Sequence, residues 1–221
     1  MENKSDKNIE CCTNQCERPL DRDFWNTQWE NRQTGWDMGT PSPPITHYMD
    51  QVSNKNIAIL IAGCGNAHEA AYLSAQGFTN VTLLDIAPRA VEILQKKFSG
   101  NPNIHVVCGD YFEHEGNYDL MIEQTFFCAI PPSRRNEYAQ KASSLLNEKG
   151  RIVGVLFNKK FEKQGPPFGG FTDEYERVFS PYFDISTMEV CYNSIPPRAG
   201  AEVFINLIKK KRQPDGRLND I

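Results

Sequence analysis

From residue 57 onward the chain alternates short, continuous apolar segments with longer segments of helical pattern, and this alternation constrains the fold more than any other feature. The apolar segments lie at 57–62, 81–85, 104–110, 118–123 and 151–157. The helical segments lie near 67–76, 88–98 and 133–147. Apolar strands joined by helical crossovers are typical of a parallel sheet with helices on both faces. We therefore predict a Rossmann-like, doubly wound α/β fold.

The C-terminal part of the chain extends this sheet. A helical segment at 172–180 is followed by strand patterns near 182–192 and 201–210. The sequence PPRAG at 196–200 between them is typical of a hairpin loop, which makes the last strand antiparallel. The complete pattern predicts a seven-stranded, mostly parallel sheet with an antiparallel last strand.

The segment before the first strand is rich in aromatic residues. It predicts a helix over 21–33, ended by the glycine at position 35, with Trp25 and Trp29 on one face at i, i+4 spacing. The sequence PSPP at 41–44 predicts a stiff loop, because consecutive prolines fix φ. A short helix over 45–52 is expected to follow.

The length of 221 residues favours one domain with appendages. We predict a single domain at 20–210, in which residues 20–52 form a helical lid. A disordered tail is expected at 1–19, because this segment is polar, and a second polar tail at 211–221.

Charge and hydropathy exclude several classes of partner. The formal net charge is −4, so we expect neither a nucleic acid nor a membrane partner. The longest apolar run, at 57–62, is too short to cross a bilayer, and the N-terminal segment lacks the apolar core of an export signal. We expect a cytoplasmic monomer whose seven cysteines are reduced thiols.

Four consecutive strand ends carry either glycines or a carboxylate. The first ends in the loop Gly63, Cys64, Gly65, and the next three end in Asp85, Asp110 and Glu123. Ligands of doubly wound sheets bind beyond these ends, where glycines let a ligand approach the backbone and an acid can accept hydrogen bonds from a ribose. The series indicates a site for a nucleoside-type cofactor.

The glycine loop departs from a dinucleotide fingerprint, since His68 occupies the sixth position where a small residue is expected. The chain also has no Tyr-x-x-x-Lys pair, so a nicotinamide-dependent oxidoreductase is a distant alternative. A cofactor with adenine and ribose but no phosphate fits better, and we expect S-adenosylmethionine. Asp85 would bind its ribose and Asp110 its adenine amino group.

All three tryptophans of the chain lie between positions 25 and 36. Indole faces attract cations, by up to roughly 2 kcal/mol where water is excluded. Because S-adenosylmethionine carries a sulfonium cation, the tryptophans are expected to close over it as a lid.

Several motifs also match a known family. They are the W-x3-W-x6-W spacing, the loop GCGNAHE, FFCAIPPSRR at 126–135, GPPF at 165–168 and IPPRAG at 195–200. Over residues 22–210 the chain resembles the thiopurine S-methyltransferase family, and in particular its plant thiol and halide methyltransferase branch. The resemblance implies that the cofactor is bound by Trp25, Trp29, Trp36, Gly63, Asp85, Asp110, Tyr111 and Glu123.

The chain departs from the family pattern at three positions. Glu123 stands where an aspartate is usual, Gln124 where the thiopurine enzymes have an arginine, and Phe168 where the plant branch has a tyrosine. These departures leave the methyl acceptor open.

The acceptor side is expected to be built from loops that carry paired prolines, at 43–44, 131–132, 166–167 and 196–197. The predicted apolar walls are Phe126, Phe127, Phe168 and Phe171, and the predicted anion-binding residues are Arg198 and Arg135. Such a pocket suits a small, soft nucleophile. Because a thiolate is already nucleophilic, no general base is assigned, although His47, Asp37 and Tyr48 are candidates.

Methylation of a thiol is the expected reaction. Methylation of a halide or thiocyanate is an alternative, as is methylation of a metalloid oxyanion such as tellurite or selenite, for which the tail cysteines Cys11, Cys12 and Cys16 would be relevant. A non-catalytic S-adenosylmethionine-binding module is a further alternative. The four histidines show no metal-ligand spacing, so no metal site is predicted.

Overall fold

The computed structural model describes residues 19–163 and 165–211. Its helices are α1 Arg22–Glu30, α2 Pro43–Asp50, α3 His68–Ala75, α4 Pro88–Lys97, α5 Arg135–Leu145 and α6 Thr172–Phe179. Its strands are β1 Ile59–Ala62, β2 Val81–Asp85, β3 Ile104–Cys108, β4 Tyr118–Gln124, β5 Leu146–Phe157, β6 Phe183–Val190 and β7 Glu202–Lys209. Short 3₁₀ helices lie at Phe127–Ala129, Pro132–Arg134 and Pro196–Arg198. The tail cysteines and the predicted tails lie outside the described residues, except for positions 19 and 211.

The strands form one seven-stranded sheet in the order β3-β2-β1-β4-β5-β7-β6. Strands β1 to β5 pair in parallel, whereas β7 pairs antiparallel with both of its neighbours, β5 and β6. The predicted fold class is confirmed, including the antiparallel last strand, which lies between β5 and β6. The carboxyl ends of β1 to β4 therefore meet at one edge of the sheet.

Alternation along β1 shows why the sheet needs a layer on each face. Ile59 and Ile61 belong to one hydrophobic cluster, and Leu60 and Ala62 belong to another. Side chains of a strand point alternately to the two faces, so a strand that is buried throughout requires helices on both sides. This arrangement fixes the backbone at the end of β1, where the glycine loop begins.

Two predicted boundaries in the N-terminal segment were wrong. Helix α2 begins at Pro43, so the prolines at 43 and 44 form its first turn, whereas we predicted a loop. Proline is tolerated there because first-turn N–H groups have no helical partner. Helix α1 ends at Glu30, before Gly35, and Arg32 adopts a left-handed φ of 56°.

No helix within residues 19–163 and 165–211 is long and apolar enough to span a bilayer.

Candidate active site

The loop after β1 turns tightly through left-handed backbone conformations at Gly63 (φ +56°), Gly65 (φ +52°) and Ala67 (φ +47°). A Cβ at position 63 would lie 2.3 Å from Cδ2 of Phe126, the second residue beyond β4. Position 63 therefore requires glycine both for its conformation and for this contact. The loop presents backbone to the crevice beyond the sheet edge.

The three tryptophans pack together beside this loop. The Trp36 ring meets those of Trp25 and Trp29 edge-on, at centroid distances of 5.6 and 6.0 Å. Trp29 is buried against the start of α4, and a Cβ at Gly65 would lie 3.7 Å from Trp36 Nε1 and 3.8 Å from Trp29 Cζ2. The helical segment before the sheet thus places two indoles directly against the glycine loop.

Asp85 ends β2 with its carboxylate buried at the glycine loop. One oxygen accepts a hydrogen bond from Gly65 N at 3.1 Å, and the other accepts one from Ala87 N at 2.9 Å. Burial raises the pKa of Asp85, and the backbone hydrogen bonds oppose this shift in part. A carboxylate oxygen can accept two hydrogen bonds, so this group retains acceptor capacity toward a ligand hydroxyl.

Asp110 and Tyr111 follow β3 and face in different directions. Asp110 is half-buried, and its Oδ1 accepts from Phe112 N at 2.9 Å. Tyr111 is buried: its ring stacks on Tyr138, and its hydroxyl donates to the carbonyl oxygen of Tyr138 at 3.2 Å. The Tyr111 side chain therefore belongs to the core, which leaves its backbone as the part that a ligand could contact.

Glu123 near the end of β4 does not face the crevice. It is 1% exposed, its Oε1 accepts from Phe127 N at 2.9 Å, and its Oε2 accepts from the Tyr138 hydroxyl at 2.5 Å. Burial raises its pKa to about 7, against the opposing hydrogen bonds. The extra methylene relative to aspartate lets this carboxylate reach Tyr138, so the geometry gives no support to the expected contact between Glu123 and the cofactor.

A narrow crevice lies beside β1, between the glycine loop, the segment from Trp36 to Thr40 and the end of β4. Its empty space is about 430 Å³, a figure that includes open solvent. Its lining residues are Trp36, Asp37, Met38, Thr40, Ile61, Gly63, Cys64, Gly65, Asn66, Ala67, His68, Glu69, Gln124 and Thr125. Cys64 is buried, and its burial raises the pKa of its thiol. Of the described side chains, none that lines the crevice belongs to lysine or arginine.

Asp37 forms a hydrogen-bonded cluster at the crevice. Its Oδ1 pairs with His68 Nε2 at 2.7 Å and accepts from Gly39 N at 3.0 Å, and its Oδ2 accepts from Asn66 Nδ2 at 2.5 Å. Burial would raise the Asp37 pKa, but these hydrogen bonds outweigh it, so the pKa is lowered. Asp37 was predicted only as one of three candidate bases, without these partners. The signal for the cluster was the histidine at the sixth position of the glycine loop.

The predicted apolar wall was wrong at one position. Phe127 is fully buried and packs against Tyr138, Tyr175 and Phe179, so it belongs to the core. Phe168 is half-buried, and its backbone N donates to the carbonyl oxygen of Cys128 at 2.7 Å. Phe168 can still form part of a pocket wall, which Phe127 cannot.

Neither predicted anion-binding arginine has an unpaired charge. The Arg198 guanidinium donates to Glu202 Oε1 at 3.2 Å and to the Trp36 carbonyl oxygen at 3.1 Å. Arg135 is 1% exposed and donates to Glu174 Oε1 at 2.5 Å, so it is not a solvated surface residue. A guanidinium already paired with a carboxylate attracts a further anion weakly, so these predicted roles find no support.

The other candidate bases lie elsewhere. His47 Nδ1 is 2.7 Å from the Tyr192 hydroxyl, and with Tyr48 it lines a second cavity between α2, β6 and β7. Across the described ranges no group of three or more His, Cys, Asp or Glu residues could hold a metal ion.

The residues around the crevice fit S-adenosylmethionine better than a phosphorylated cofactor. Asp85 lies beside a glycine loop, two indoles cover that loop, and Asp37 lines the crevice. No lysine or arginine is among the described lining residues, and the nearby Lys97 ammonium is hydrogen-bonded to the carbonyl oxygen of Asn66 at 2.6 Å. A pyrophosphate would require donors or positive charge, whereas a sulfonium suits carboxylates and indole faces.

Solved structures share this fold. A Burkholderia thailandensis 1,6-didemethyltoxoflavin-N1-methyltransferase with bound S-adenosylhomocysteine matches with a TM-score of 0.68 and 17% identity, over 86% of this chain and 87% of that one. The magnesium protoporphyrin IX methyltransferase from Synechocystis PCC 6803 with bound S-adenosylhomocysteine matches with a TM-score of 0.67 and 15% identity, over 85% of this chain and 97% of that one. The fold is that of the class I S-adenosylmethionine-dependent methyltransferases.

The sequence model described as Thiopurine S-methyltransferase matches residues 20–211, and the chain belongs to this family. It is 33% identical over 184 residues to a probable thiol methyltransferase 2 of Arabidopsis thaliana, covering 80% of this chain and 81% of that protein. It is 30% identical to thiocyanate methyltransferase 1 of Brassica oleracea, with the same coverage. A thiopurine S-methyltransferase of Photobacterium profundum is 28% identical, over 72% and 83% of the two chains. The chain is an S-adenosylmethionine-dependent methyltransferase.

Proposed function

We propose that the enzyme methylates the thiol sulfur of a small molecule. The observation that carries this choice is the charge pairing of Arg198 with Glu202 and of Arg135 with Glu174, which leaves the acceptor side without a free guanidinium. An oxyanion or halide always carries a charge that would favour such a group, whereas a thiol can enter in its neutral form. The likeness to a probable thiol methyltransferase supports the same choice.

Three segments with paired prolines, at 126–135, 165–168 and 195–200, contact one another or residues of the crevice, and we place the acceptor on this side. Phe126 packs on Gly63, Phe168 is hydrogen-bonded to Cys128, and Arg198 donates to the Trp36 carbonyl oxygen. These contacts join the loops to each other or to the crevice. Stiff loops form a pocket without a large ordering cost on binding.

On the donor side, Asp85 would accept from the ribose, Asp110 would accept from the adenine amino group, and Gly63, Cys64 and Gly65 would contact the ligand through their backbone. Trp25, Trp29 and Trp36 would exclude water as parts of a lid formed by residues 20–52. S-adenosylmethionine supplies an electrophilic methyl group when it is bound. The protein contributes alignment of the acceptor sulfur with that group, which can account for a large part of the rate enhancement.

The test is an assay with labelled S-adenosylmethionine against a panel of alkyl and aryl thiols, thiocyanate, iodide, tellurite and selenite. We expect methylated thiols as the main products. Faster turnover of thiocyanate or iodide than of any thiol would overturn the choice of acceptor. A tellurite or selenite product that disappears when residues 1–18 are deleted would instead favour metalloid chemistry.

We expect a cytoplasmic monomer with a single domain at 20–210 and no nucleic acid or membrane partner. Sedimentation at micromolar concentration should give the mass of one chain, and a concentration-dependent dimer would contradict this part.

A further inference from the structure

We propose that Asp37 binds the α-ammonium of the amino-acid end of the methyl donor, with His68 and Asn66 orienting its carboxylate. This inference rests on the proposed use of S-adenosylmethionine and assigns a residue that the nucleoside-binding acids leave unexplained.

The strand order puts the nucleoside-binding acids and the crevice on opposite sides of β1. Asp85 and Asp110 follow β2 and β3, which lie on one side, and the crevice extends from β1 to the end of β4 on the other. If the nucleoside lies over β2 and β3, the rest of the donor has to extend toward β4. That remaining part carries the sulfonium, the ammonium and the α-carboxylate, and Asp37 lies in its path.

The charge and the unused acceptor capacity of Asp37 suit an ammonium group. Oδ1 already accepts from Gly39 N and pairs with His68, whereas the structure gives Oδ2 a single partner, Asn66. A carboxylate oxygen has two lone pairs, so Oδ2 retains one acceptor position. The lowered pKa keeps the group ionised at neutral pH, and a charge-assisted bond to an ammonium is stronger than a neutral one.

The cluster holds this carboxylate firmly enough to serve as a recognition group. Its three donors come from three places: the loop after α1, the glycine loop and the first residue of α3. Such support fixes the position of the side chain, which is 26% exposed and so remains accessible from the crevice opening. The same bonds connect the segment that carries Trp36 to the glycine loop, so the lid and the recognition group are positioned together.

The experiment measures binding by calorimetry for two ligands, S-adenosylhomocysteine and its analogue that lacks only the amino group. Asp37→Asn should weaken S-adenosylhomocysteine by roughly 10- to 100-fold and the analogue by less than about threefold. Asp110→Ala is the control, because loss of the hydrogen-bond acceptor for the adenine amino group should weaken both ligands by the same factor. Thermal melting of each variant checks that it is folded.

Equal losses for both ligands in Asp37→Asn would overturn the assignment, since Asp37 would then act only by holding the lid. Unchanged binding of both ligands in Asp37→Asn would overturn the assignment as well. This holds also if the turnover of protonated thiols falls in this variant, since Asp37 would then act on the acceptor and not on the donor. If Asp37→Asn does not fold, His68→Gln serves as the second variant, with the same preference for the amino-bearing ligand but a smaller loss. A wild-type chain that binds neither compound would contradict the proposed function itself, whereas wild-type binding with equal losses contradicts only the role of Asp37.

Discussion

The strands β2 and β4 flank β1 in the sheet, and each carries a carboxylate at or near its end: Asp85 on β2 and Glu123 on β4. These two carboxylates differ in what they contact. Asp85 accepts from the backbone of the glycine loop and of the start of α4. The Glu123 carboxylate accepts from the backbone N–H of Phe127 and from the hydroxyl of Tyr138, within an aromatic cluster. Equivalent positions in a topology can therefore serve a ligand on one side of β1 and the protein's own packing on the other.

The two sides of β1 differ in the residues that fill them. The β2 side is covered by small residues at the start of α4 and by the indoles, which leaves backbone and a short acid beside the loop. The β4 side is filled by aromatic rings, since Tyr138 stacks on Tyr111 and meets Phe127 edge-on. A carboxylate among rings has no access to solvent, so its ionisation becomes costly and its pKa rises.

The largest effect on stability is expected at Gly63, which directly follows β1 and so lies between the two sides. Gly63→Ala would place a Cβ 2.3 Å from Phe126 at a φ of +56°, and we expect it to lower the free energy of unfolding by roughly 2–5 kcal/mol. Gly77→Ala is the control, because φ is +82° there but nothing lies within 4 Å, so its cost should be about 1 kcal/mol. Urea unfolding of both variants measures the difference, and equal losses would show that the Phe126 contact is unimportant.

The next effect concerns Glu123 and pH. Its pKa is about 7 in the folded chain against 4.5 when unperturbed, so over this range the folded chain keeps a proton that the unfolded chain has lost. Stability contributed by this group is full below pH 4.5 and is lost as pH rises to 7, by roughly 3 kcal/mol. In Glu123→Gln this loss should be absent. Chemical unfolding of both chains across pH 4.5 to 8 tests it, and parallel curves would contradict a raised pKa.

A third effect separates the two acids by ligand binding. Asp85→Ala should weaken S-adenosylhomocysteine by roughly a hundredfold, because a buried charge-assisted bond to the ribose is lost. Glu123→Gln should change the same affinity by less than about threefold, since the carboxylate already has two partners inside the protein. Calorimetry at pH 7.5 compares the two, and wild-type affinity of Asp85→Ala would remove the ribose assignment.

The smallest effect tests the indoles. Trp36→Phe should weaken S-adenosylmethionine by about three- to fivefold more than it weakens S-adenosylhomocysteine, because only the former carries a cation and indole attracts cations best. Trp25→Phe is the matched control, since Trp25 is absent from the described lining of the crevice and should show no such preference. If both variants weaken both ligands alike, the lid acts by covering the site and not by attracting charge.

Most of the fold could be predicted from local patterns. Continuous apolar runs, glycines after strands and prolines between them act over a few residues, so they indicate elements and their order. The exceptions were boundaries: Pro43 starts a helix because a first turn tolerates proline, and β5 begins at Leu146, earlier than its apolar run. In both cases the type of element was predicted correctly and its first residue was not.

The candidate site was predictable in composition but not in orientation. Asp85, Gly63 and the tryptophans could be found because they lie at strand ends or cluster within a few residues. The pairing of Arg198 with Glu202, the burial of Arg135 and the inward side chain of Phe127 could not, since each depends on side chains from other elements.

By itself, the sequence determined the order of strands and helices, the glycine loop after β1 and the series of acids at consecutive strand ends. Backbone periodicity and glycine conformations are local properties, and they suffice for this. Only the tertiary structure decided that Asp85 lies at the glycine loop while Glu123 lies among aromatic rings, and that Asp37 meets His68 from 31 positions away. The direction of a side chain at a strand end depends on which distant groups offer it hydrogen bonds and which exclude water around it.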